Sequence, residues 1–476
     1  MDVSPSLSTW GPGIAYSRLL RLKSGSDVNL PSLAVECDLC TSWTMESPTT
    51  YRFELRPDAR WQDIGPVYAR AVTAEDVVFS YLRQAGPELP NSALLYNVAE
   101  LRQLDQHTIA ITLDSPDADA LLAFADGHSK IVAREAVELN GDLRDGPTVG
   151  SGPWVLAGTA RDDKHEFSPN PLYYEQGLPL LDKLNILIMP DESTRNAAFQ
   201  TGMIDVMNMS PGEWTTYTDR FPLAPFIKVP QPGVGAEVAF NTTEPPFDNL
   251  EVRRAAILGM EPMKAIEEHW GGFGFVGQGF SSASPEWLIP QNEIAGRFDR
   301  RSDAKTLLRN AGVTVPIPVV ITVGDFGEAY TSHAHAISVE LQELGFEVET
   351  DIVNRREFGE RVWLGGEYQM MLGPPAPITA PNGFLFPVLH SEGIWNTTGH
   401  RDTVLDELIE AQAVEFDSKK RASLIRSIQE RVLDQGYRFM PAAKESIWTW
   451  RDHVRDFHPN FSAYEYHHWA RVWLDK

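Results

Sequence analysis

The amino-acid sequence predicts an α/β protein of two lobes, and three observations lead to that fold class. The chain has 476 residues, which is too long for one ordinary hydrophobic core, so it must divide. Residues 184–206 and residues 318–352 each show the strand–helix–strand pattern of a βαβ unit. Residues 51–113, by contrast, contain stretches that alternate between apolar and polar side chains, as half-buried antiparallel strands do. The sequence therefore predicts two α/β lobes and a separate region of antiparallel strands.

The antiparallel region has two alternating stretches, residues 51–57 and 107–113, with a helix between them. Thr73 is predicted to cap this helix, with Asp76 at the third helical position, which is the arrangement of a capping box. Three apolar residues of the helix are expected to face the core: Val77, Val78 and Leu82.

The first βαβ unit begins with a short apolar run at residues 184–189, which is typical of a buried strand. Asp191 can cap the following helix, because a side-chain oxygen at that position accepts from the first turn. Gly202 stands where the helix would end in a left-handed residue. Residues 203–206 then begin a second strand, which a right-handed crossover would place parallel to the first.

The second βαβ unit consists of strands at residues 318–323 and 346–352, joined by a helix at residues 328–344. Apolar residues recur along one face of this helix, and His333 belongs to that face. His333 and His335 would point about 200° apart around a helix, so they do not converge on one metal ion. We expect them to have packed or surface roles.

Composition and charge exclude several classes of protein. The chain has 41 basic and 66 acidic residues, a formal net charge of −25, which opposes binding to nucleic acid or to anionic membranes. No apolar run approaches the roughly 20 residues of a membrane-spanning helix, and the start lacks the basic and apolar segments of a signal peptide. No nucleophile elbow, phosphate-binding loop or His-Glu-x-x-His motif is present. We therefore expect no enzymatic activity, no cofactor and no metal site.

Cys37 and Cys40 are the two cysteines of the chain. A structural zinc site needs four ligands, and neither a second cysteine pair nor a nearby histidine supplies the others. A redox Cys-x-x-Cys pair belongs at a helix start beside a βαβ strand, whereas this pair lies between a proline-rich loop and a strand. A local disulfide bond and two free thiols both remain open, and export from the cytoplasm would favour the disulfide.

Several short motifs follow one another in a distinctive order. They are Thr73-Ala74-Glu75-Asp76-Val77-Val78-Phe79-Ser80, Gly150-Ser151-Gly152-Pro153-Trp154, Asn170-Pro171-Leu172-Tyr173-Tyr174, Leu181-Asp182-Lys183, Pro190-Asp191-Glu192-Ser193-Thr194-Arg195 and Gln200-Thr201-Gly202-Met203-Ile204-Asp205. In this order they resemble the family 5 extracellular solute-binding proteins, which are the receptors of ABC importers for oligopeptides, dipeptides, nickel and some oligosaccharides. The resemblance extends from about Ser6 to the C-terminus.

The resemblance implies a two-lobed, periplasmic-binding-protein-like fold of type II, with an extra N-terminal subdomain and a ligand cleft between the lobes. The expected division is residues 1–21, 151–238 and 446–476 for the first lobe, residues 22–150 for the extra subdomain, and residues 239–445 for the second lobe. The chain would cross between the lobes near Phe240 and near Ser446, so that the lobes close on the ligand as a hinge.

The resemblance also implies an extracytoplasmic substrate-binding protein that captures a peptide or similar small solute and delivers it, as a monomer, to the permease of an ABC transporter. The missing signal peptide then indicates a start set too far downstream, or a leader and first strand that have been removed; a cytoplasmic protein is the alternative. The sequence leaves open three rival functions: an oligosaccharide-binding receptor of the same family, a binding protein with no transporter, and a secreted hydrolase with a carboxylate pair.

The resemblance implies ligand contacts from several separate segments. The candidate ligand-binding residues are Trp10, Asn241, Phe273, Gly274, Asn382, Trp395 and Asn396. Peptide-binding members place an aspartate near the cleft to pair with the peptide's amino terminus, and Pro377 occupies that position here. Burying an ammonium without an anion costs several kcal/mol. Either another acid, such as Glu392 or Asp402, therefore supplies the charge, or the ligand has no free amine.

Overall fold

The structure is a computed structural model, and it describes residues 11–144, 146–160, 164–277, 284–376, 380–460 and 466–475. The strands of these residues are β1 (Leu20–Leu22), β2 (Val35–Cys37), β3 (Cys40–Ser47), β4 (Thr50–Leu55), β5 (Val98–Gln103), β6 (Thr108–Leu113), β7 (Trp154–Ala160), β8 (Lys164–Pro169), β9 (Leu184–Leu187), β10 (Val206–Met209), β11 (Phe226–Phe240), β12 (Gly274–Gly277), β13 (Ile317–Gly324), β14 (Phe346–Val353), β15 (Met370–Gly373), β16 (Arg438–Trp450), β17 (Val454–Arg455) and β18 (Trp473–Leu474).

The α-helices of the same residues are α1 (Ala74–Gln84), α2 (Ala120–Ala125), α3 (Arg134–Glu138), α4 (Glu192–Thr201), α5 (Pro211–Arg220), α6 (Leu250–Gly259), α7 (Pro262–His269), α8 (Gln291–Ile294), α9 (Arg301–Asn310), α10 (Glu328–Leu344), α11 (Arg355–Phe358), α12 (Pro381–Phe384), α13 (Thr403–Ala413), α14 (Ser418–Gln435) and α15 (Tyr466–Arg471). Short 3₁₀ turns occur at Gly11–Ala15, Ser92–Leu95, Pro285–Trp287 and Ala295–Arg297, and π-helical turns at Gly359–Leu364 and Leu385–Leu389.

The chain forms two compact units. The first contains the described residues up to Met207 and from Thr449 onward, and the second contains Asn208–Trp448. The chain passes from one unit to the other within β10 and within β16, and these two strands are neighbours in one sheet. The predicted crossings near Phe240 and near Ser446, and the division of the chain into two lobes and an extra subdomain, stay predictions.

The N-terminal half of the first unit is built from antiparallel strands, as the alternating pattern predicted. The sheet with the strand order β3-β4-β6-β5 is antiparallel throughout, and every second residue of β4 is buried. α1 begins at the predicted capping box, where the Thr73 N–H donates to Asp76 Oδ2 at 2.9 Å. Val77 is buried, but Leu82 is 60% exposed. The predicted inward position of Leu82 is wrong, because five residues turn a helix by about 140° beyond a full turn.

The predicted first βαβ unit pairs its strands differently. β9 and α4 form where the sequence predicts them, with Asp191 Oδ1 accepting from the Thr194 N–H at 2.7 Å and Gly202 at a φ of +80°. However, β9 pairs antiparallel with β8, whereas β10 belongs to another sheet, next to β16. The predicted parallel relation of β9 and β10 is therefore wrong. An apolar run indicates a buried strand, but it does not specify which other strand will pair with it.

The first described residues form the 3₁₀ turn Gly11–Ala15. Farther along, a disulfide bond joins Cys37 of β2 to Cys40 of β3, which decides between the disulfide and the free thiols. The loop that it closes contains Asp38, whose buried carboxylate accepts from the Arg18 N–H at 2.7 Å and from the Tyr174 hydroxyl. The disulfide thus fixes a loop whose acidic side chain is anchored in the core.

A seven-stranded mixed sheet organises the second unit. Its strand order is β10-β16-β11-β15-β13-β14, and β12 pairs with β16 outside this path. β13 is parallel to both β14 and β15, while β11 is antiparallel to β15 and β12 is antiparallel to β16. Buried apolar residues of α6, α9 and α10 share one core with the sheet, and α12, α13 and α14 contribute to a smaller second core.

β13, α10 and β14 form the predicted second βαβ unit. The two strands pair in parallel over their whole length, and α10 ends at Gly345 with a φ of +106°. His333 is buried, and its Nδ1 accepts from Trp270 Nε1 at 3.2 Å, whereas His335 is exposed. The two histidines thus have the packed and surface roles that the sequence predicts.

Candidate functional site

The candidate site lies at the edge of the seven-stranded sheet where its parallel strands end. β13, β14 and β15 end at Gly324, Val353 and Gly373. In open α/β sheets, ligands bind outside the carboxyl ends of the strands, where the connecting loops present side chains. We name this region the carboxyl edge and take it as the candidate ligand-binding site of the second unit.

Aromatic side chains line the carboxyl edge. The ring centroid of Phe326 lies 5.9 Å from that of Tyr330, 5.6 Å from that of Phe358 and 6.1 Å from that of Trp363. The Trp363 indole N–H donates to the backbone oxygen of Pro374, just beyond β15, at 3.1 Å. Phe358 is buried, whereas Phe326 and Trp363 are only partly buried. The edge thus presents half-exposed rings, which suit apolar or flat groups of a ligand.

Two glycines let backbones and rings approach closely at this edge. A Cβ atom on Gly373 would lie 2.2 Å from the Phe358 ring, so no side chain fits there. Glu237 of β11 pairs with Gly373, and Gly235 lies two residues farther out, with a φ of +135°. A Cβ atom on Gly235 would lie 3.0 Å from the backbone nitrogen of Lys444 in β16. Parts of β11 and β16 therefore lie at the same edge as the end of β15.

A cluster of charged side chains lies at this part of the edge. Lys228 Nζ is 3.5 Å from Glu445 Oε2 and 4.5 Å from the centroid of the Phe273 ring. Burial raises the pKa of Glu445, and the neighbouring charge of Lys228 partly offsets that effect. Lys444 pairs in register with Gly274 of β12, and burial lowers the pKa of its ammonium. Charges in such partly desolvated surroundings interact more strongly than they do in water.

Exposed charged side chains follow the strands that carry the aromatic rings. Asp325 and Glu328 come directly after β13, and neither carboxylate forms an ion pair with another described residue. Arg355 follows β14, and its guanidinium carbon lies 5.4 Å from the centroid of the Phe326 ring. The carboxyl edge can thus offer both a cation and an anion to a ligand.

Phe273 and Gly274 are the predicted residues that the structure places at the carboxyl edge. Asn241 lies at the opposite end of β15, because its backbone N–H donates to Gln369 O, just before that strand begins, at 2.9 Å. A four-residue strand separates its two ends by ~10 Å. Asn241 therefore does not share one small ligand group with Phe273 and Gly274 within this unit.

The side chains of Asn241 and Asn396 are engaged in internal hydrogen bonds. Asn241 Oδ1 accepts from the Thr243 N–H at 3.0 Å, and its Nδ2 donates to a backbone oxygen at 3.2 Å. Asn396 Oδ1 accepts from Thr398 Oγ1 at 2.9 Å, and its Nδ2 donates to a backbone oxygen at 2.9 Å. Both amides hold turns, as asparagine side chains commonly do, and their ligand contacts stay predictions.

Asn382 and Trp395 contribute to the interior of the second unit. Asn382 Oδ1 accepts from Gln412 Nε2 at 2.8 Å and from Arg421 Nη2 at 3.1 Å. Trp395 is partly buried and packs against the smaller core, which contains residues of α13 and α14. Their roles in ligand binding stay predictions, as does that of Trp10, which lies outside the described residues together with Pro377.

Of the two acids expected to replace the missing aspartate, Asp402 is already paired. Arg431 Nε lies 2.7 Å from Asp402 Oδ2, and Arg431 Nη2 lies 2.6 Å from Asp402 Oδ1. Asp402 Oδ1 also accepts from the Leu405 N–H at 3.1 Å, which caps α13. Glu392 is exposed. The Asp402 carboxylate is thus already paired with Arg431 and caps α13.

Glu237 and Arg438 form a buried ion pair between β11 and β16. Arg438 Nη1 lies 3.3 Å from each carboxylate oxygen of Glu237, and the arginine and glutamate side chains are 3% and 1% exposed. Burial raises the pKa of Glu237, and Arg438 acts in the opposite direction. Nε and Nη2 of Arg438 have no partner among the residues that the structure describes. Because Glu237 is paired with Arg438, its carboxylate is not available to a ligand either.

Within the described part of the chain, no group of three or more His, Cys, Asp or Glu side chains is placed to hold a metal ion. None of the described helices combines the length with the apolar character that crossing a membrane requires.

Sequence reasoning missed the residues that give the carboxyl edge its character. Phe326 could have been found, because it follows a predicted parallel strand directly, where such sheets bind ligands. Lys444 and Lys228 carry no such signal. Their neighbours Gly274 and Phe273 come from another part of the chain, and sheet pairing alone brings them together.

Rings and charged groups at the carboxyl ends of parallel strands, in a chain of two α/β units, are features that ligand-binding proteins commonly have. A family model described as "Bacterial extracellular solute-binding proteins, family 5 Middle" matches residues 34–396, and the chain belongs to this family. This result confirms the resemblance found in the sequence, and with it the two-lobed α/β fold class.

Known proteins of similar length support this membership. The chain is 23% identical over 464 residues to a protein from Pseudomonas aeruginosa named "Dipeptide-binding protein", covering 91% of this chain and 84% of the relative. It is 25% identical over 453 residues to "Heme-binding protein A" from Haemophilus influenzae, covering 88% and 80%. The crystal structure of the ABC transporter substrate-binding protein CtaP from Listeria monocytogenes has a TM-score of 0.80 at 17% identity and covers 97% and 93%.

Proposed function

We propose that this chain is the extracytoplasmic substrate-binding protein of an ABC importer, and that it captures a short peptide or a similar small solute and delivers it to the permease. Membership of the family supports the binding role, and a relative named as a dipeptide-binding protein supports the choice of peptide. A structural relative named as an ABC transporter component supports the importer. The protein acts as a monomer and leaves the bonds of its ligand intact.

The observation that carries this proposal is the combination of half-exposed rings and charged groups at the carboxyl edge. Phe326 and Trp363 present ring surface against which side chains of a peptide can pack. Pockets for small ligands combine such apolar surface with a few placed polar groups, which fix the orientation of the ligand. A short peptide, with apolar side chains and two charged termini, matches both requirements.

The charged residues of the carboxyl edge include acids that could pair with a peptide's amino terminus in place of the missing aspartate. Pro377 cannot pair with an amino terminus, and Glu237, Asp402 and Glu445 are each engaged by a basic side chain. At the carboxyl edge, Asp325 and Glu328 are exposed and form no ion pair in the described structure. We assign to this pair of acids the charge that a peptide's amino terminus requires.

A thermal-shift screen followed by calorimetry tests the proposal. The panel contains di- to pentapeptides, oligosaccharides, haem and divalent metal ions, and we expect the peptides to raise the melting temperature. Phe326→Ala should lower peptide affinity at least about tenfold, which is about 1.4 kcal/mol. Phe416→Ala, an exposed ring between α13 and α14, is the matched control and should bind as the parent does.

Three results would contradict the proposal: a response to oligosaccharides alone, equal losses in both variants, or peptide cleavage at a rate proportional to protein concentration. The hinge closure expected from the resemblance stays a prediction. Small-angle X-ray scattering with a bound peptide tests it, because closure must reduce the radius of gyration.

A further inference from the structure

Lys444 is an unusual lysine for this chain. It lies in the middle of β16, opposite Gly274 and next to Gly235, so the residues beside it on both neighbouring strands lack side chains. Its side chain is only partly exposed, and burial lowers the pKa of the ammonium. Among the described residues, no hydrogen-bond acceptor and no carboxylate contacts Nζ.

No described carboxylate of the second unit pairs with this lysine. Its residues outside the description are 278–283 and 377–379, and neither segment contains an acidic residue. The neighbouring Glu445 pairs with Lys228 at 3.5 Å, and Glu237 pairs with Arg438 at 3.3 Å. The chain has 66 acidic and 41 basic residues, yet no described acid of the second unit pairs with this half-buried lysine.

A partly buried ammonium without an anion is costly, because the charge loses part of its hydration and gains no partner. Such groups are retained where a ligand supplies the missing charge. Gly274 and Gly235 place no side chain against Lys444, and Phe273, whose ring lies against Lys228, comes just before Gly274 in the chain. An anionic group of a ligand that pairs with the Lys444 ammonium would replace the hydration that burial removed.

We propose that Lys444 is a ligand-binding residue whose ammonium pairs with a carboxylate of the captured solute. This inference rests on the proposed function, and it narrows the substrate class to solutes with a carboxylate, such as peptides with a free carboxyl terminus. Lys444 would pair with the carboxyl terminus of a short peptide, while Asp325 and Glu328 would pair with its amino terminus.

The test uses four forms of one dipeptide and isothermal titration calorimetry on the full chain. The probes are dialanine, N-acetyl-dialanine, dialanine amide and N-acetyl-dialanine amide. They carry both charges, only the carboxylate, only the ammonium, and no charge. The parent protein should bind each free acid at least about tenfold more tightly than the corresponding amide, since a charge-assisted hydrogen bond is lost on amidation.

Three variants assign this preference to Lys444. In Lys444→Met the acid and the amide should bind within about twofold of each other, whereas Lys444→Arg should retain the preference because it keeps the charge. Lys305→Met removes the same charge from an exposed position on α9 and should behave as the parent does. Melting temperatures of the free variants show whether each one folds, and the ratio of acid to amide affinity is independent of a modest change in stability.

The outcomes separate the inference from the function on which it rests. If the parent binds amides as tightly as acids, or if Lys444→Met keeps the preference, the inference is wrong while peptide capture stands. If the parent binds none of the four probes, the proposed capture of short peptides is wrong, and the inference falls with it.

Discussion

Breaking the buried ion pair between Glu237 and Arg438 from one side should destabilise the protein more than removing both residues. Both side chains are almost fully buried, at 1% and 3% exposure, so either partner would remain as a charge without a counter-ion. Leaving such a charge costs ~3–5 kcal/mol, whereas an apolar pair of similar volume is about neutral or up to ~4 kcal/mol more stable. We therefore expect Glu237→Gln to lose ~3–5 kcal/mol, and the double variant Glu237→Met, Arg438→Met to lose less than ~1 kcal/mol.

The dependence on pH distinguishes the two single variants. Burial raises the pKa of Glu237, and Arg438 is the group that opposes this rise, so the pKa climbs further in Arg438→Met. A carboxyl group whose folded-state pKa exceeds its unfolded value contributes stability at low pH, and that stability is lost as the pH rises through the folded-state pKa. The penalty of Arg438→Met should thus shrink as the pH falls from 8 toward ~4.5, the ordinary range of a glutamate. The penalty of Glu237→Gln should not shrink.

Urea denaturation followed by both circular dichroism and tryptophan fluorescence measures these changes, and the two signals must coincide for a single free energy to be defined. The matched control is Glu360→Gln, which breaks the ion pair with Arg356 on the surface, where the glutamate and arginine side chains are 59% and 86% exposed. It should cost less than ~1 kcal/mol. The reasoning is refuted if Glu237→Gln costs no more than this control, or if the double variant is as unstable as the single ones.

Three further predictions concern the disulfide, a buried histidine and two tryptophans. Replacing Cys37 and Cys40 by serine should cost ~2 kcal/mol in urea denaturation, because the bond closes a short loop; a parent protein whose unfolding midpoint ignores reductant would contradict this. Burial lowers the pKa of His333 to about 3, so its stabilising contribution is complete above the ordinary histidine pKa of ~6.5 and is lost as the pH falls toward 3. His333→Gln should therefore reduce the fall in the free energy of unfolding between about pH 6.5 and about pH 3. If the parent and the variant lose stability in parallel over this range, His333 is not the cause. Trp363→Ala should lower peptide affinity, whereas Trp395→Ala should mainly lower the melting temperature, because it removes core packing. If Trp395→Ala instead binds peptide more weakly at an unchanged melting temperature, Trp395 belongs to the ligand-binding site as predicted.

Local signals in the sequence were sufficient for most individual elements. The capping box of Thr73 and Asp76, the cap of Asp191 and the helix end at Gly202 each involve residues that lie a few positions apart. Such interactions are encoded by short stretches, and the structure has them where the sequence predicts them. The second βαβ unit also follows from local pattern, since its strands and helix are consecutive and the crossover leaves few other arrangements.

The sequence determined the fold class, the family and the chemical nature of each candidate residue. Tertiary structure decided which of those residues meet. β9 and β10 belong to different sheets, Asn241 lies beside the start of β15 whereas Gly274 pairs with β16, and Lys444 is left without an acid in the described part of its own unit. The physical reason is that strand pairing joins segments that are far apart in the chain. The residue opposite a given strand position is set by the packing of the whole sheet, and no local pattern encodes it.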